Sequence, residues 1–154
     1  MPERTLTHDT FRLERDYPVP PAKVFQAFAD PAIKQLWWGG AADGFTAVAE
    51  TTDFREGGRD HQSGHWADGT ESVFDAVYYE ITENERLVYG YEMHVNGVRL
   101  SVSLASIELA ATDAGTRLTL TEQGTYFDAL DNPAQRKEGT SELLDRLGTV
   151  VVGG

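Results

Sequence analysis

The sequence predicts an α+β protein, a curved antiparallel sheet wrapped around a long C-terminal helix. Three observations predict it. Turn signals arrive at strand spacing from Phe45 to Glu122, an apolar stripe at helical spacing fills the last segment, and one alternating stretch followed by two short helical ones precedes both.

The first strand runs from about Asp9 to Val19. Phe11, Leu13, Tyr17 and Val19 fall on one face, Arg12, Glu14 and Asp16 on the other, and Arg15 breaks the pattern by sharing the apolar face. Pro18, Pro20 and Pro21 end the strand. Pro21 then opens a helix, because a first helical residue needs no amide hydrogen, and Val24, Phe25 and Phe28 give it a narrow apolar stripe. Asp30-Pro31 reads as N-cap and first residue of a second short helix through Ile33, Leu36 and Trp37, closed by Gly39-Gly40.

Gly57-Gly58 predicts a bulge or tight bend. Asp68-Gly69 and Asn96-Gly97 are the dipeptides favoured by type I′ hairpins, and Asp113-Ala114-Gly115 makes a further hairpin loop. Between these turns lie strands over Val73 to Ile81, Leu87 to Met93, Val98 to Leu109 and Thr116 to Thr121. In the third, Leu100, Val102 and Leu104 alternate with Ser101 and Ser103 before the apolar phase moves to Ile107 and Leu109, as a bulge would move it. Asn132-Pro133 then starts a helix with Gln135 positioned for a capping box, and Leu143, Leu144, Leu147, Val150 and Val151 form its apolar face.

With 154 residues the chain is sized for one domain, 1–154. The 25 acidic against 13 basic residues give a net charge of −12, which argues against nucleic acid and anionic membrane surfaces as partners. The absence of cysteine removes disulfides, thiol nucleophiles and thiolate metal sites. No stretch has the apolar length of a membrane span, and Met1 to Asp16 lacks the apolar core of a signal peptide. A soluble cytoplasmic protein is expected.

Several segments, in this order and spacing, resemble one family. They are Arg15-Asp16-Tyr17, the run from Pro20 to Phe28, Asp30-Pro31, Leu36-Trp37-Trp38-Gly39, Phe54-Arg55-Glu56-Gly57-Gly58-Arg59 and Asp68-Gly69-Thr70. Glu80-Ile81, the run from Glu85 to Val88, the run from Gly115 to Thr121, and Gly139 with the run from Leu143 to Leu147 complete the pattern. Over residues 9 to 152 it resembles the START-like (SRPBCC) superfamily, in the branch of homologues of the activator of the heat-shock protein 90 ATPase. The resemblance implies a helix-grip fold with a pocket between sheet and helix. It implies a small, mostly apolar ligand such as a lipid or polyketide, no cofactor, and, by family name alone, a chaperone partner. Some such proteins are cyclases or other enzymes, so chemistry has to be read from the site.

Three groups of residues are candidates for that pocket. Arg59 and His61, two apart on a strand, project to the same face. With Arg15 they would grip a carboxylate or carbonyl head if their face lines the cavity; otherwise they pair with acids such as Glu50, Glu80, Glu92 or Glu122. Trp37, Trp38, Phe74, Tyr78, Tyr79, Tyr89 and Tyr91 either stack on a planar ligand or belong to the core. Gly139 leaves room on the closing helix beside Leu143.

The histidines do not read as a metal site. His61 and His65 lie in a strand, which puts them roughly 13 Å apart at ~3.3 Å per residue, while His8 and His94 are isolated. No nucleophile elbow or phosphate-binding glycine loop is present in the sequence. General acid–base work by His61 or Glu80 in an apolar pocket is the remaining enzymatic expectation.

Overall fold

The computed structural model describes residues 4–38 and 44–153. The chain opens with strand β1 (Leu6–Tyr17) and two short helices, α1 (Pro21–Ala29) and α2 (Pro31–Lys34). Six further strands follow: β2 (Thr46–Thr52), β3 (Arg59–His65), β4 (Glu71–Thr82), β5 (Arg86–Val95), β6 (Val98–Thr112) and β7 (Gly115–Phe127). Helix α3 (Pro133–Gly153) ends the chain. Among the described residues these seven strands form one curved sheet in the order β1-β7-β6-β5-β4-β3-β2, with each neighbouring pair antiparallel. The chain therefore starts at one edge, restarts at the other through α1 and α2, and meanders back until β7 pairs along β1.

Pattern explains most of this. Every second residue of β1 from Phe11 to Tyr17 turns to the inner face, and Phe74, Ala76, Tyr78, Tyr89, Tyr91, Ile107, Leu118 and Leu120 do so from the central strands. Leu144, Leu147 and Val151 of α3 bury against them, with Val24 and Phe28 of α1 and Trp37 filling the side. The Asn96-Gly97 turn has positive φ at both residues, 50° and 80°, as a type I′ hairpin requires. At the Gly57-Gly58 bend a Cβ on Gly58 would stand 2.0 Å from the Asp53 carbonyl oxygen, so only glycine fits.

Other expectations are corrected. Asp68-Gly69 sits inside a longer loop, closed by Trp66 N donating to Thr70 O at 2.9 Å, and Asp68 keeps negative φ while its carboxylate accepts from Thr70 N. Helix α2 ends at Lys34, and single turns carry the chain to Trp38; the expected Gly39-Gly40 stop lies outside the described residues. The phase shift expected within β6 does not occur, because its pairing with β7 is continuous from Ser101 to Thr112. Ser101 and Ser103 are the buried residues there, while Val102 and Leu104 face outward at 40% and 38% exposure. Register shifts fall elsewhere: at Leu100, near the start of β6 against β5, at Val48 in β2, and in β4, where Tyr79 is looped out.

Helix α3 also starts differently from a capping box. Asn132 Oδ1 accepts from Ala134 N at 2.9 Å, but the Asn132 amide donates to Asp131 Oδ1 and not to Gln135. Asp131 is thereby fixed at the helix entrance.

Candidate ligand cavity

Between the inner face of the sheet and α3 lies a cavity of about 420 Å³, within the roughly 300–1,000 Å³ of small-molecule sites. Its wall is mostly aromatic and aliphatic. Phe28, Trp37, Trp38, Phe74 and Tyr91 form a continuous series of rings, with successive centroids 5.0, 5.4, 5.1 and 4.9 Å apart. Tyr89, Met93, Ile107, Leu120, Leu143 and Leu144 complete the apolar lining. Trp66 and Phe45, packed edge to face at 5.1 Å, border it on the side of β3. Trp37 loses nothing by complete burial, since its indole Nε1 donates to Ala27 O at 3.0 Å.

The main polar group on this wall joins α3 to β5, β6 and β7. Glu122, 3% exposed, stands on the inward phase of β7 beyond Leu118 and Leu120. Its Oε1 accepts from the Tyr91 hydroxyl at 2.8 Å, and its buried Oε2 has no hydrogen-bond partner. From the first turn of α3, Arg136 Nη1 donates to the Tyr91 oxygen at 3.1 Å; its Nη2 donates to Ser101 Oγ at 3.0 Å and pairs with Asp131. The guanidinium also lies over the rings of Tyr91 and Tyr126 at 5.7 and 5.4 Å.

Burial sets the protonation of these groups. Desolvation pushes the Glu122 carboxyl above its ordinary range, partly opposed by the Tyr91 hydrogen bond and the Arg136 charge. The Tyr91 hydroxyl is raised by burial and by Glu122. Tyr126 is raised to about 12, mainly by burial. Arg136 stays charged: burial works against its charge, and Tyr91, Asp131 and Glu122 overcome it.

A second buried polar group braces the wall from behind. Lys34 pairs with Asp60 and donates to the Tyr78 hydroxyl at 3.2 Å, that hydroxyl donates to Asp60 Oδ2 at 3.0 Å, and Thr52 donates to Asp60 Oδ1 at 3.1 Å. Lys34 Nζ also sits 4.7 Å from the Trp38 ring centroid. This ties α2 to β2, β3 and β4 and holds Trp38 in position.

Of the residues singled out from sequence, Trp37, Trp38, Phe74, Tyr89, Tyr91, Gly139 and Leu143 line the cavity, while Tyr79 is exposed on the outside. Tyr78 is buried in the core against Asp60, away from it. Arg15 does share the inner face of β1, but β1 is an edge strand and its guanidinium reaches Asp145 at 2.9 Å and Ser141 on α3. Arg59 is exposed, and His61 lies against Asp75 on the outer face, Nδ1 to Oδ1 2.5 Å. Their register explains it: Asp60, Gln62 and Gly64 hold the inward phase of β3, so the odd positions turn out. Glu80 is likewise outside, paired with Arg86 at 2.6 Å. The interior charge expected from Arg15 and Arg59 is carried by Arg136.

Glu122 and Arg136 were the residues that sequence reasoning missed as site candidates. A signal existed for both. Glu122 continues the Leu118, Leu120 alternation, and Arg136 stands three residues before Gly139 and seven before Leu143, on the helix face that carries them.

Among the described residues no group of three or more histidine, aspartate or glutamate side chains is placed to hold a metal ion. No described helix is long and apolar enough to cross a membrane.

A curved antiparallel sheet gripping a long C-terminal helix, with a cavity between them, defines the class of helix-grip cavity proteins. Residues 18–151 match the family described as "Activator of Hsp90 ATPase homolog 1-like protein", and the chain belongs to that family. Among solved structures it is similar to the Mll3558 protein from Rhizobium loti, 38% identical over 95% of this chain and 99% of that one, with a TM-score of 0.88. It is also similar to an uncharacterized protein from Rhizobium leguminosarum, 32% identical over 99% of each chain, TM-score 0.94. An AHSA1-like protein from Aeromonas hydrophila shares the fold at 20% identity, covering 94% of this chain and 93% of that one, TM-score 0.70. No curated protein matches the chain.

Proposed function

We propose that this protein binds a small, mostly apolar molecule in the cavity between the sheet and α3. The observation that carries the reading is the cavity itself: about 420 Å³ walled by rings, with polar side chains converging at Arg136, Tyr91 and Glu122. Few, well-placed polar groups in an apolar cavity orient a ligand without making the site wet. Trp37, Trp38, Tyr89, Tyr91 and Leu143 are the proposed contact residues, and Gly139 leaves the α3 side of the wall open, since a Cβ there would meet nothing within 4 Å.

Binding of N-phenyl-1-naphthylamine, whose fluorescence rises in apolar surroundings, tests this. The wild-type protein should bind it at micromolar concentration, and Gly139→Phe, which projects a ring into open space on the cavity wall, should weaken binding at least tenfold while the fold persists. Absence of any fluorescence rise with the wild type would overturn the reading.

One observation favours an enzymatic variant of this reading, of the polyketide cyclase or dehydratase type. Glu122 lies on the cavity wall, and desolvation raises its hold on a proton, which is the direction a general acid requires. Such an enzyme would lose turnover in Glu122→Gln while still binding its substrate.

A further inference from the structure

The charges on the cavity wall limit what its ligand can be. Arg136 is already neutralised by direct contact with Asp131. The remaining charged groups on the wall are Glu122, Glu142 and Arg146, so acids equal or outnumber bases whichever form Glu122 takes. A ligand carboxylate would add a further negative charge to a low-dielectric site whose nearest cation has its counter-ion in place.

Hydrogen-bond capacity points the other way. The Tyr91 hydroxyl satisfies Glu122 Oε1, and Oε2 has no partner in a side chain that is 3% exposed. That oxygen is closed off from the cavity, so Glu122 acts on a ligand only through Tyr91, which it holds in place. Three of the five guanidinium N–H groups of Arg136 are engaged, with Tyr91, Ser101 and Asp131, which leaves two more donors on the same wall. Arg136 has donors to spare, and its charge is already paired. Beside it the rings of Tyr91 and Phe74, tilted 34° at 4.9 Å, offer faces to a flat molecule.

We infer that the molecule taken up is electrically neutral: a flat, largely apolar compound whose carbonyl oxygen accepts hydrogen bonds from Arg136, with carboxylic acids of the same shape turned away. This rests on the ligand-binding reading above and adds the chemical class of the ligand.

Three probes of matched shape test it by calorimetric titration at pH 7: 2-acetylnaphthalene, 2-ethylnaphthalene and 2-naphthoate. The ketone should bind at least tenfold more tightly than either of the others. Arg136→Lys, which retains a charged N–H donor on the same wall, should keep that preference, and Arg136→Met should abolish it. Equal binding of the ketone and the ethyl compound, or tighter binding of 2-naphthoate, would overturn the inference and leave the ligand-binding reading intact. So would failure of all three probes while N-phenyl-1-naphthylamine binds. If that dye also fails, both readings fall together.

Discussion

Glu122 is held by surroundings that make its ionisation costly, and the consequence is measurable without any ligand. The titratable and charged groups facing it are Tyr91 from β5, Tyr126 from β7, Arg136 from α3 and Asp131 before it. Burial raises its pKa above the ordinary 4.5. The folded chain therefore keeps this proton to a higher pH than the unfolded chain. Its contribution to stability is complete below the unfolded value and is lost as pH rises through the folded value. Glu122→Gln preserves an acceptor for Tyr91 and removes the titration. Its stability relative to wild type, from urea unfolding at a series of pH values, should improve steadily above about pH 4.5 and level off once the wild-type carboxyl has ionised. Parallel curves for the two proteins would mean that burial does not hold the proton. At this same scale sequence reading separated apolar from polar residues unevenly. Trp37, Trp38, Tyr89 and Tyr91 were legible because large rings near helix–sheet junctions have few other places to go. Glu122 and Arg136 were not, because a charged side chain on an apolar phase reads as an irregularity until its partners, 31 and 45 residues from Tyr91 along the chain, are known.

Helix α3 shows how one residue type does two jobs in one element. Gly148 is a packing residue: a Cβ there would lie 2.9 Å from the Tyr17 ring, whose hydroxyl donates to Leu144 O at 2.7 Å. That close approach, with Arg15 bound to Asp145 and Ser141, fastens the helix to edge strand β1. Gly139 has open space around it, so besides leaving the cavity wall open it costs the helix backbone freedom without any packing return. Gly139→Ala should therefore stabilise the protein by about 0.5–1 kcal/mol, the usual interior-helix difference, which in a chain of this size raises Tm by about 2–4 °C per kcal/mol. Gly148→Ala should give no such gain, because the Tyr17 ring must move. Equal gains at both positions in thermal unfolding would remove this distinction. The elements themselves were largely legible: the meander, both proline-led helices and α3 follow from period and turn chemistry. Strand β6 was misread for a physical reason. Its apolar residues predict the inward set, but the sheet beneath the polar group buries the small Ser101 and Ser103 and leaves Val102 and Leu104 outside.

Over the whole molecule the net charge of −12 and the interior site have opposite characters. Arginines on the surface are taken up in local pairs, Arg117 with Asp16, Arg99 with Glu92, Arg86 with Glu80 and Arg55 with Asp53, all at least partly exposed. Such pairs contribute little each, and the surplus acids remain to repel one another across the surface. Raising the salt concentration from 50 to 500 mM shortens the screening length to a few ångströms and should raise Tm by several degrees, since relief of about 1 kcal/mol of repulsion is worth about 2–4 °C here. The same field would hinder an anion on its way into the cavity and is indifferent to a neutral molecule. The affinity for 2-acetylnaphthalene should accordingly stay within about twofold over that salt range, allowing for the salting-out that strengthens apolar burial slightly. An affinity that rose tenfold with salt would mean that surface repulsion reaches the bound ligand, and the separation between an acidic exterior and an electrically balanced cavity would no longer hold.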